Sequence, residues 1–405
     1  MFRMIDISCK FILGCGLAVA TLIPPGTANA KSKETVLFSF RVGHDGAYPN
    51  AGLIMDQAAN LYGTTIKGGS GGSGTVFEVP RDGTQTRLYS FCSRKDCSDG
   101  AEPSGSLIMD KNGNLYGTTQ EGGTSYGGTV FKLTPDGTET VLYLFCSQVR
   151  CTDGAGPVAG LIMDKAGNLY GTTSSGGASE SGTVFEVAPN GTETVLYSFC
   201  SVAGCPDGSG PVAGLITDKA ANLYGTTGYG GPGGGGTVFE VTPNGTETVL
   251  YSFCRQTNCI DGSRPGAGLI KDKVGNLYGT TESGGADGQG TVFKLAPDGT
   301  EAVLYSFANG RDGTNPYAGL VTDKKGNLYG TTEYGGDNGC VGGQGCGTIF
   351  ELAPDGTETV LHTFKDQPDG ANPAAGLIMD SLGNLYGTTY GGGAYGLGTV
   401  FRLEE

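Results

Sequence analysis

Tryptophan is absent from this 405-residue chain, and histidine occurs only twice, at His44 and His362. Two histidines leave little material for catalytic triads or histidine-rich metal centres. Charged residues are scarce, at 16% against the usual ~25%, and unbalanced, with a formal net charge of -15. A chain this acidic lacks the basic footprint of a nucleic-acid binder, so no nucleic-acid partner is expected. Beyond the first thirty residues no apolar run is long enough to span a membrane as a helix, and no segment has helical periodicity. Disorder is excluded too, because 37% of the residues are hydrophobic and 19 Tyr and 17 Phe are present.

Glycine is what the chain has in excess, with 76 residues where about 30 would be usual. No Gly-X-Y period accompanies it, so collagen is excluded. The glycines must instead serve a large number of tight connections.

Residues 1–30 read as a secretory leader. Arg3 and Lys10 flank a short n-region, residues 11–23 are apolar over signal-peptide length, and Ala28-Asn29-Ala30 is a small-residue cleavage site. A lipoprotein reading of Ile12-Leu13-Gly14-Cys15 leaves almost no apolar segment ahead of the cysteine and is set aside. The protein is expected to be exported, secreted or periplasmic.

The remainder is one unit written seven times. Leu-Tyr-Gly-Thr-Thr begins at Leu61, Leu115, Leu169, Leu223, Leu277, Leu328 and Leu385, at spacings of 54, 54, 54, 54, 51 and 57 residues. A fixed period of this size means a solenoid, a propeller or an array. The third unit shows the plan. Short β-forming runs at 160–164, 168–173, 182–187 and 193–199 are separated by a turn at 165–167, a Gly/Ser loop at 174–181 and a Pro189-Asn190-Gly191 turn. Four antiparallel strands per unit, repeated radially, make a β-propeller. The seventh unit ends at its third strand, 398–403, whereas residues 34–40 match the fourth strand of the other units. We therefore expect an all-β, seven-bladed β-propeller forming a single domain over residues 31–405, closed by strand 34–40 completing the last blade.

The recurring Gly-Leu-Ile-Met-Asp, Gly-Asn-Leu-Tyr-Gly-Thr-Thr, Gly-Thr-Val-Phe and Pro-Asp-Gly-Thr-Glu segments resemble the repeat of the choice-of-anchor tandem repeat GloVer-containing proteins. The resemblance covers residues 34–405 and implies bacterial export without implying a particular activity. Members of that family carry a C-terminal surface anchor. Here Glu405 directly follows a strand, so no C-terminal anchor is expected. The Asp-x-x-Gly-Asn-Leu-Tyr-Gly segment is also similar to blades of sensor-type and NHL-type propellers.

Ten of the twelve cysteines form five close pairs, Cys92/Cys97, Cys146/Cys151, Cys200/Cys205, Cys254/Cys259 and Cys340/Cys346. An even count in an exported protein reads as disulfides. A zinc or iron–sulfur site would need ligands from two pairs, which lie on different blades around a ring. No metal and no cofactor is expected.

Asp-Gly-x-x-Pro recurs in every unit, at Asp45, Asp99, Asp153, Asp207, Asp261, Asp312 and Asp369. A residue present seven times serves the repeat, so these carboxylates read as turn acceptors, with a cation-binding ring as the alternative. His44 and His362 fall on different blades and carry no nucleophile signature. Lys271 replaces methionine on an inner strand and suggests a wet channel edge. Specific function belongs where the units differ, on the long loops of one face. All five cysteine pairs fall on these loops, where disulfides would stiffen the rim. The same loops carry Tyr126, Tyr229, Tyr334, Tyr390 and Tyr395, with Glu121, Glu282 and Glu333 nearby. Tyrosines beside carboxylates suit stacking and hydrogen bonding to a sugar or peptide. The expected function is an exported, monomeric binding module for an extracellular glycan, peptide or protein. The alternatives are a polysaccharide lyase or hydrolase, and a structural or cell-surface interaction protein with no small-molecule site.

Overall fold

The computed structural model describes residues 32–404, apart from 309, 337–338 and 341–342. The expected leader, with its cleavage site, lies outside the described residues.

Seven four-stranded antiparallel sheets form the seven blades of a propeller. Blades 1 to 6 span residues 54–90, 108–144, 162–198, 216–252, 270–306 and 321–363. Blade 7 takes Ile378–Met379, Leu385–Thr389 and Thr399–Glu404 from the C-terminus, and its outer strand, Lys33–Ser39, from the N-terminus. That strand pairs antiparallel from Lys33↔Glu404 to Ser39↔Thr399, so the closure expected from the repeat boundaries is observed. The innermost strands are shorter than their apolar runs suggest. In blade 3 only Ile162 and Met163 pair.

All five expected disulfides are formed: Cys92–Cys97, Cys146–Cys151, Cys200–Cys205, Cys254–Cys259 and Cys340–Cys346. Their surroundings differ from a uniform set of rim clips. Three of the loops contain a single 3-10 turn, Lys95–Cys97, Val149–Cys151 and Thr257–Cys259, which the sequence reading did not anticipate. The equivalent loop of blade 3 does not, although its Cys205 N bonds the Val202 carbonyl at 3.0 Å just as Cys97, Cys151 and Cys259 bond Arg94, Gln148 and Gln256. In all four loops the carbonyl of the second cysteine accepts two backbone hydrogen bonds, as Cys205 does from Gly208 N at 3.0 Å and Gly231 N at 2.8 Å, so each disulfide loop is tied to the Gly-rich loop of the next blade. Both Cys340 and Cys346 lie on the loop between the second and third strands of blade 6, but Cys346, two residues before the third strand, is fully buried and packs with Ile349 and Phe364 in the core between blades 6 and 7.

The core lies between blades. At each of the seven junctions a phenylalanine following one blade's outer strand meets, edge to face, the third-strand phenylalanine of the next. Phe91–Phe131 and Phe199–Phe239 are examples, with centroids 5.0 and 4.9 Å apart. Phe40–Phe77, at 5.1 Å, closes the circle from blade 7 to blade 1.

The Leu-Tyr-Gly-Thr-Thr segment is legible residue by residue. Leucine enters the inter-blade core. Tyrosine donates to the aspartate of the Asp-x-x-Gly-Asn turn, as Tyr224 does to Asp218 at 2.9 Å. In every blade but the first, whose Thr64 hydroxyl is buried without a partner, the first threonine donates across to the next blade, Thr172 Oγ1 to the Ala213 carbonyl at 3.1 Å, and Thr388 reaches Ala51 across the closure. The second bonds within its blade, Thr173 to Thr183 at 2.8 Å. The glycine is there for space. A Cβ on Gly171 would stand 2.6 Å from Phe185 Cζ and 2.9 Å from Leu161 Cδ2. Gly171→Ala is expected to cost about 1–3 kcal/mol by overpacking, read as a lowered thermal midpoint with no change in fold.

Candidate functional site

In each blade the segment between blades is bridged to the loop between the second and third strands, as in Ala101↔Glu121, Ser209↔Tyr229 and Thr314↔Tyr334. The long loops therefore share one face, as expected. On this face six of the seven Asp-Gly-x-x-Pro aspartates accept a backbone hydrogen bond from the loop after the preceding outer strand, whereas Asp45 bonds the Arg41 side chain. Buried Asp99 accepts hydrogen bonds from Tyr89 Oη at 2.8 Å, Ser93 N at 2.9 Å and Ser93 Oγ at 2.8 Å. Asp153 repeats the pattern with Tyr143 and Ser147. This is the expected turn chemistry.

The variable positions converge elsewhere. The residue before the repeat proline accepts a backbone hydrogen bond from the residue after Leu-Tyr-Gly-Thr-Thr. Gln120 N reaches Glu102 O, Glu282 N reaches Arg264 O and Glu333 N reaches Asn315 O, each at 3.0 Å. The residue after the proline faces the ring's centre. Asn50, Ser104, Val158, Val212, Gly266, Tyr317 and Ala374, one per blade, help line a central cavity of about 420 Å³. The rim is therefore written three residues at a time, and its sectors differ.

Blades 3 and 4 present Gly156, Val158 and Ser174, then Gly210, Val212 and Gly228. This sector is small and mostly apolar. Blades 5 and 6 present Arg264, Gly266 and Glu282, then Asn315, Tyr317 and Glu333. Arg264 donates to Tyr229 Oη at 3.0 Å, lies over the Tyr229 ring at 5.4 Å and pairs with Glu282 at 3.4 Å. Tyr317 leans over Gly266, where a Cβ would come within 3.3 Å of its ring. Burial raises the Tyr317 hydroxyl pKa, and the nearby Glu282 and Glu333 charges add to the rise. Burial likewise raises the Glu333 carboxyl, against a hydrogen bond from Tyr334 and with the Glu282 charge. The Tyr334 hydroxyl is pushed up to about 12 by burial and by bonding to Glu333.

Of the eight candidate binding residues, the structure brings four together: Tyr229, Glu282, Glu333 and Tyr334. Tyr390 stands apart, stacked on Tyr48 with centroids 5.0 Å apart and planes 24° apart. Tyr126 and Tyr395 are 68% and 56% exposed. Glu121 belongs to blade 2, whose neighbouring Glu102 is ion-paired with Lys67. Sequence reasoning missed Arg264 and Tyr317, the two residues that join the cluster. Their signal was present. Arg264 stands where blades 3 and 4 have glycine, and Tyr317 where the other blades have Asn, Ser, Val, Gly or Ala.

The sequence profile of the Gloeobacter/Verrucomicrobia repeat matches residues 26–151, 146–343 and 275–405. The chain belongs to this family. Together the three overlapping matches span all seven blades. No curated protein matches the sequence. Among solved structures, the extracellular domain assigned to a one-component system of B. thetaiotaomicron aligns with a TM-score of 0.58 at 11% identity, over 92% of this chain and 40% of that one. A second structure, of the extracellular domain assigned to a hybrid two-component system from the same organism, gives 0.56 at 13%, over 89% and 39%. A Mycobacterium tuberculosis puromycin-hydrolyzing peptidase gives 0.50 at 12%, over 86% and 53%. The Gloeobacter/Verrucomicrobia repeat protein thus spans about half or less of these chains. At such identities the likeness concerns the fold alone. Among its described residues no helix is long and apolar enough to cross a membrane.

Proposed function

We propose that this protein is an exported, monomeric binding module that holds an extracellular glycan at the channel mouth, over blades 4 to 6. One observation carries the reading. Where seven copies of a rim could be alike, one sector gathers Tyr229, Arg264, Glu282, Tyr317, Glu333 and Tyr334, while its neighbour is stripped to Gly, Val and Ser. Tyrosine faces stack on sugar rings, and carboxylates and guanidinium bond to vicinal hydroxyls. The central cavity offers room for one or two sugar units. Five disulfides and the leader sequence support work in an oxidising compartment outside the cytoplasm.

Arg264 has a φ of +61°, a left-handed conformation that every blade shares at this position, filled by Gly156 and Gly210 in blades 3 and 4 and by Tyr48, Glu102, Asn315 and Asn372 in the others. Arg264→Gly places in this position the residue blades 3 and 4 use, and removes a partly exposed ion pair, worth about 0–1 kcal/mol, together with the hydrogen bond and ring contact to Tyr229. The variant is expected to keep its thermal midpoint within about 3 °C while losing at least tenfold in affinity. Isothermal titration against a panel of soluble bacterial and plant oligosaccharides, with Tyr317→Ala in parallel, checks this. A panel without a single binder, or a binder indifferent to both changes, overturns the proposal.

A second reading rests on Glu333. A carboxyl raised by burial, beside an Arg-paired Glu282, is the acid–base asymmetry used by glycosidases and lyases. Release of new chain ends from a panel polysaccharide, abolished in Glu333→Gln, would favour catalysis over simple binding.

A further inference from the structure

The blade junctions share a second repeated arrangement, and one junction departs from it in a chemically specific way. At five junctions a tyrosine near the end of one outer strand, the aspartate of the next Asp-Gly turn and the first glutamate of the following outer strand lie together. Tyr89/Asp99/Glu139 and Tyr251/Asp261/Glu301 are two of them. Between blades 7 and 1 the set is Phe38, Asp45 and Gln85, with Gln85 bonding the Asp45 carbonyl. Between blades 6 and 7 it is His362, Asp369 and Glu34.

Only this last set, among the described residues, groups three metal-ligating side chains, with their nearest ligand atoms all within 4.8 Å of one another. His362 Nε2 is 3.1 Å from Asp369 Oδ2, and both side chains keep a little solvent access, 18% and 13%. The geometry around them is already fixed. Edge contact with Phe364 at 4.8 Å orients the imidazole, and the Lys365 backbone N–H holds Asp369 Oδ1 at 3.0 Å, turning Oδ2 toward the ring. Glu34 Oε1 is buried without a hydrogen-bond partner. A tyrosine at position 362 would fill this site with a hydroxyl proton. An imidazole fills it with the Nε2 proton toward Asp369, but unlike the phenol it can give up that proton to a cation and turn a nitrogen lone pair to it beside two carboxylates.

We propose that Glu34, His362 and Asp369 bind one divalent cation of the zinc class. One nitrogen and two carboxylate oxygens suit Zn²⁺, which accepts three protein ligands and a water at about 2.0–2.2 Å. The two carboxylates match its charge, and the solvent opening supplies the fourth ligand. Ligand atoms on a tetrahedral ion lie roughly 3.3 Å apart, so side-chain shifts of about 1 Å complete the sphere. The site has a structural meaning. Glu34 belongs to the N-terminal closing strand and His362 to blade 6, where Ser32 Oγ already donates to the Leu361 carbonyl at 2.6 Å. A bound ion would pin the closing strand to the neighbouring blade.

The test uses the exported chain, stripped with chelator and then titrated with ZnCl₂, with MgCl₂ as the control. The expected result is one Zn²⁺ per chain and a thermal midpoint raised by at least about 5 °C, with no response to Mg²⁺. His362→Tyr and Glu34→Gln install residues the repeat itself uses at these positions, so both should fold. Each is expected to lose the shift, while His44→Asn keeps it. A parent protein that shows no zinc-dependent shift overturns the proposal. So does a shift that survives both His362→Tyr and Glu34→Gln.

Discussion

A chain lacking residues 33–40 is expected to lose its folded monomer, or to melt more than about 10 °C below the parent. These residues supply the fourth strand of blade 7 and pair with Thr399–Glu404 along its whole length. They also bring Phe40, fully buried, onto Phe77, with Leu37 and Phe38 packed against the same core. Truncating one buried phenylalanine costs about 3–5 kcal/mol, and here it goes together with an edge of unpaired backbone groups. Thermal denaturation and size-exclusion chromatography of the truncated chain measure the effect. The same strand appended after Glu404 through a Pro-Asp-Gly-Thr turn should restore the midpoint to within a few degrees, since blades 2, 5 and 6 are connected by that turn and blades 3 and 4 by Pro-Asn-Gly-Thr. A truncated chain as stable as the parent would mean that the ring does not depend on this closure.

Thermal stability is expected to fall by at least about 5 °C between pH 5 and pH 8. The cause is the row of inter-blade carboxyls. Glu139, Glu193, Glu247, Glu301 and Glu358 are each raised to about 7, first by burial. In Glu193, Glu247, Glu301 and Glu358 the aspartate of the neighbouring turn adds to the rise. In Glu139 the Asp99 charge also raises it, but Arg94, 2.7 Å away, opposes it. Tyr251 Oη, 3.0 Å from Asp261 Oδ2, also lies 3.4 Å from Glu301 Oε2. The sign follows from the direction. A carboxyl raised in the folded state gives stability that is fully present below its unfolded pKa, and that is lost as pH climbs through about 7. Turn aspartates such as Asp99 are lowered: burial pushes that carboxyl up, but hydrogen bonds from Ser93 and Tyr89 outweigh it. Their contribution is lost in acid, so stability should peak near pH 5. Replacing the five glutamates by glutamine, which blade 1 already carries as Gln85, should flatten the slope above pH 5. A parent protein equally stable at both pH values would refute the buried-carboxyl explanation.

The fold was legible because the repeat displays its own register. Each Leu-Tyr-Gly-Thr-Thr marks a second strand, and the unmatched third strand at 398–403 points to its partner at 34–40. What a repeat hides is the rim. Arg264 and Tyr317 look ordinary in a linear reading, because they are separated by 53 residues and become neighbours only through the curvature of the ring. Counting loop tyrosines likewise favoured Tyr126 and Tyr395, which stand exposed outside the cluster. Cysteine spacing gave the five pairings, yet it could not tell the buried Cys346 from a rim cysteine, because its burial comes from the neighbouring blade. His362 shows the same limit. As one of only two histidines it argued against metal chemistry, and its two carboxylate neighbours come from a loop seven residues on and from the other end of the chain.

Hydrogen–deuterium exchange of the protein with and without a bound oligosaccharide tests the central claim most directly. Binding at the channel mouth predicts protection confined to the segments around Tyr229, Arg264, Glu282, Tyr317 and Glu333. Protection confined instead to the Asp-x-x-Gly-Asn and Pro-Asp-Gly turns of the opposite face would contradict it.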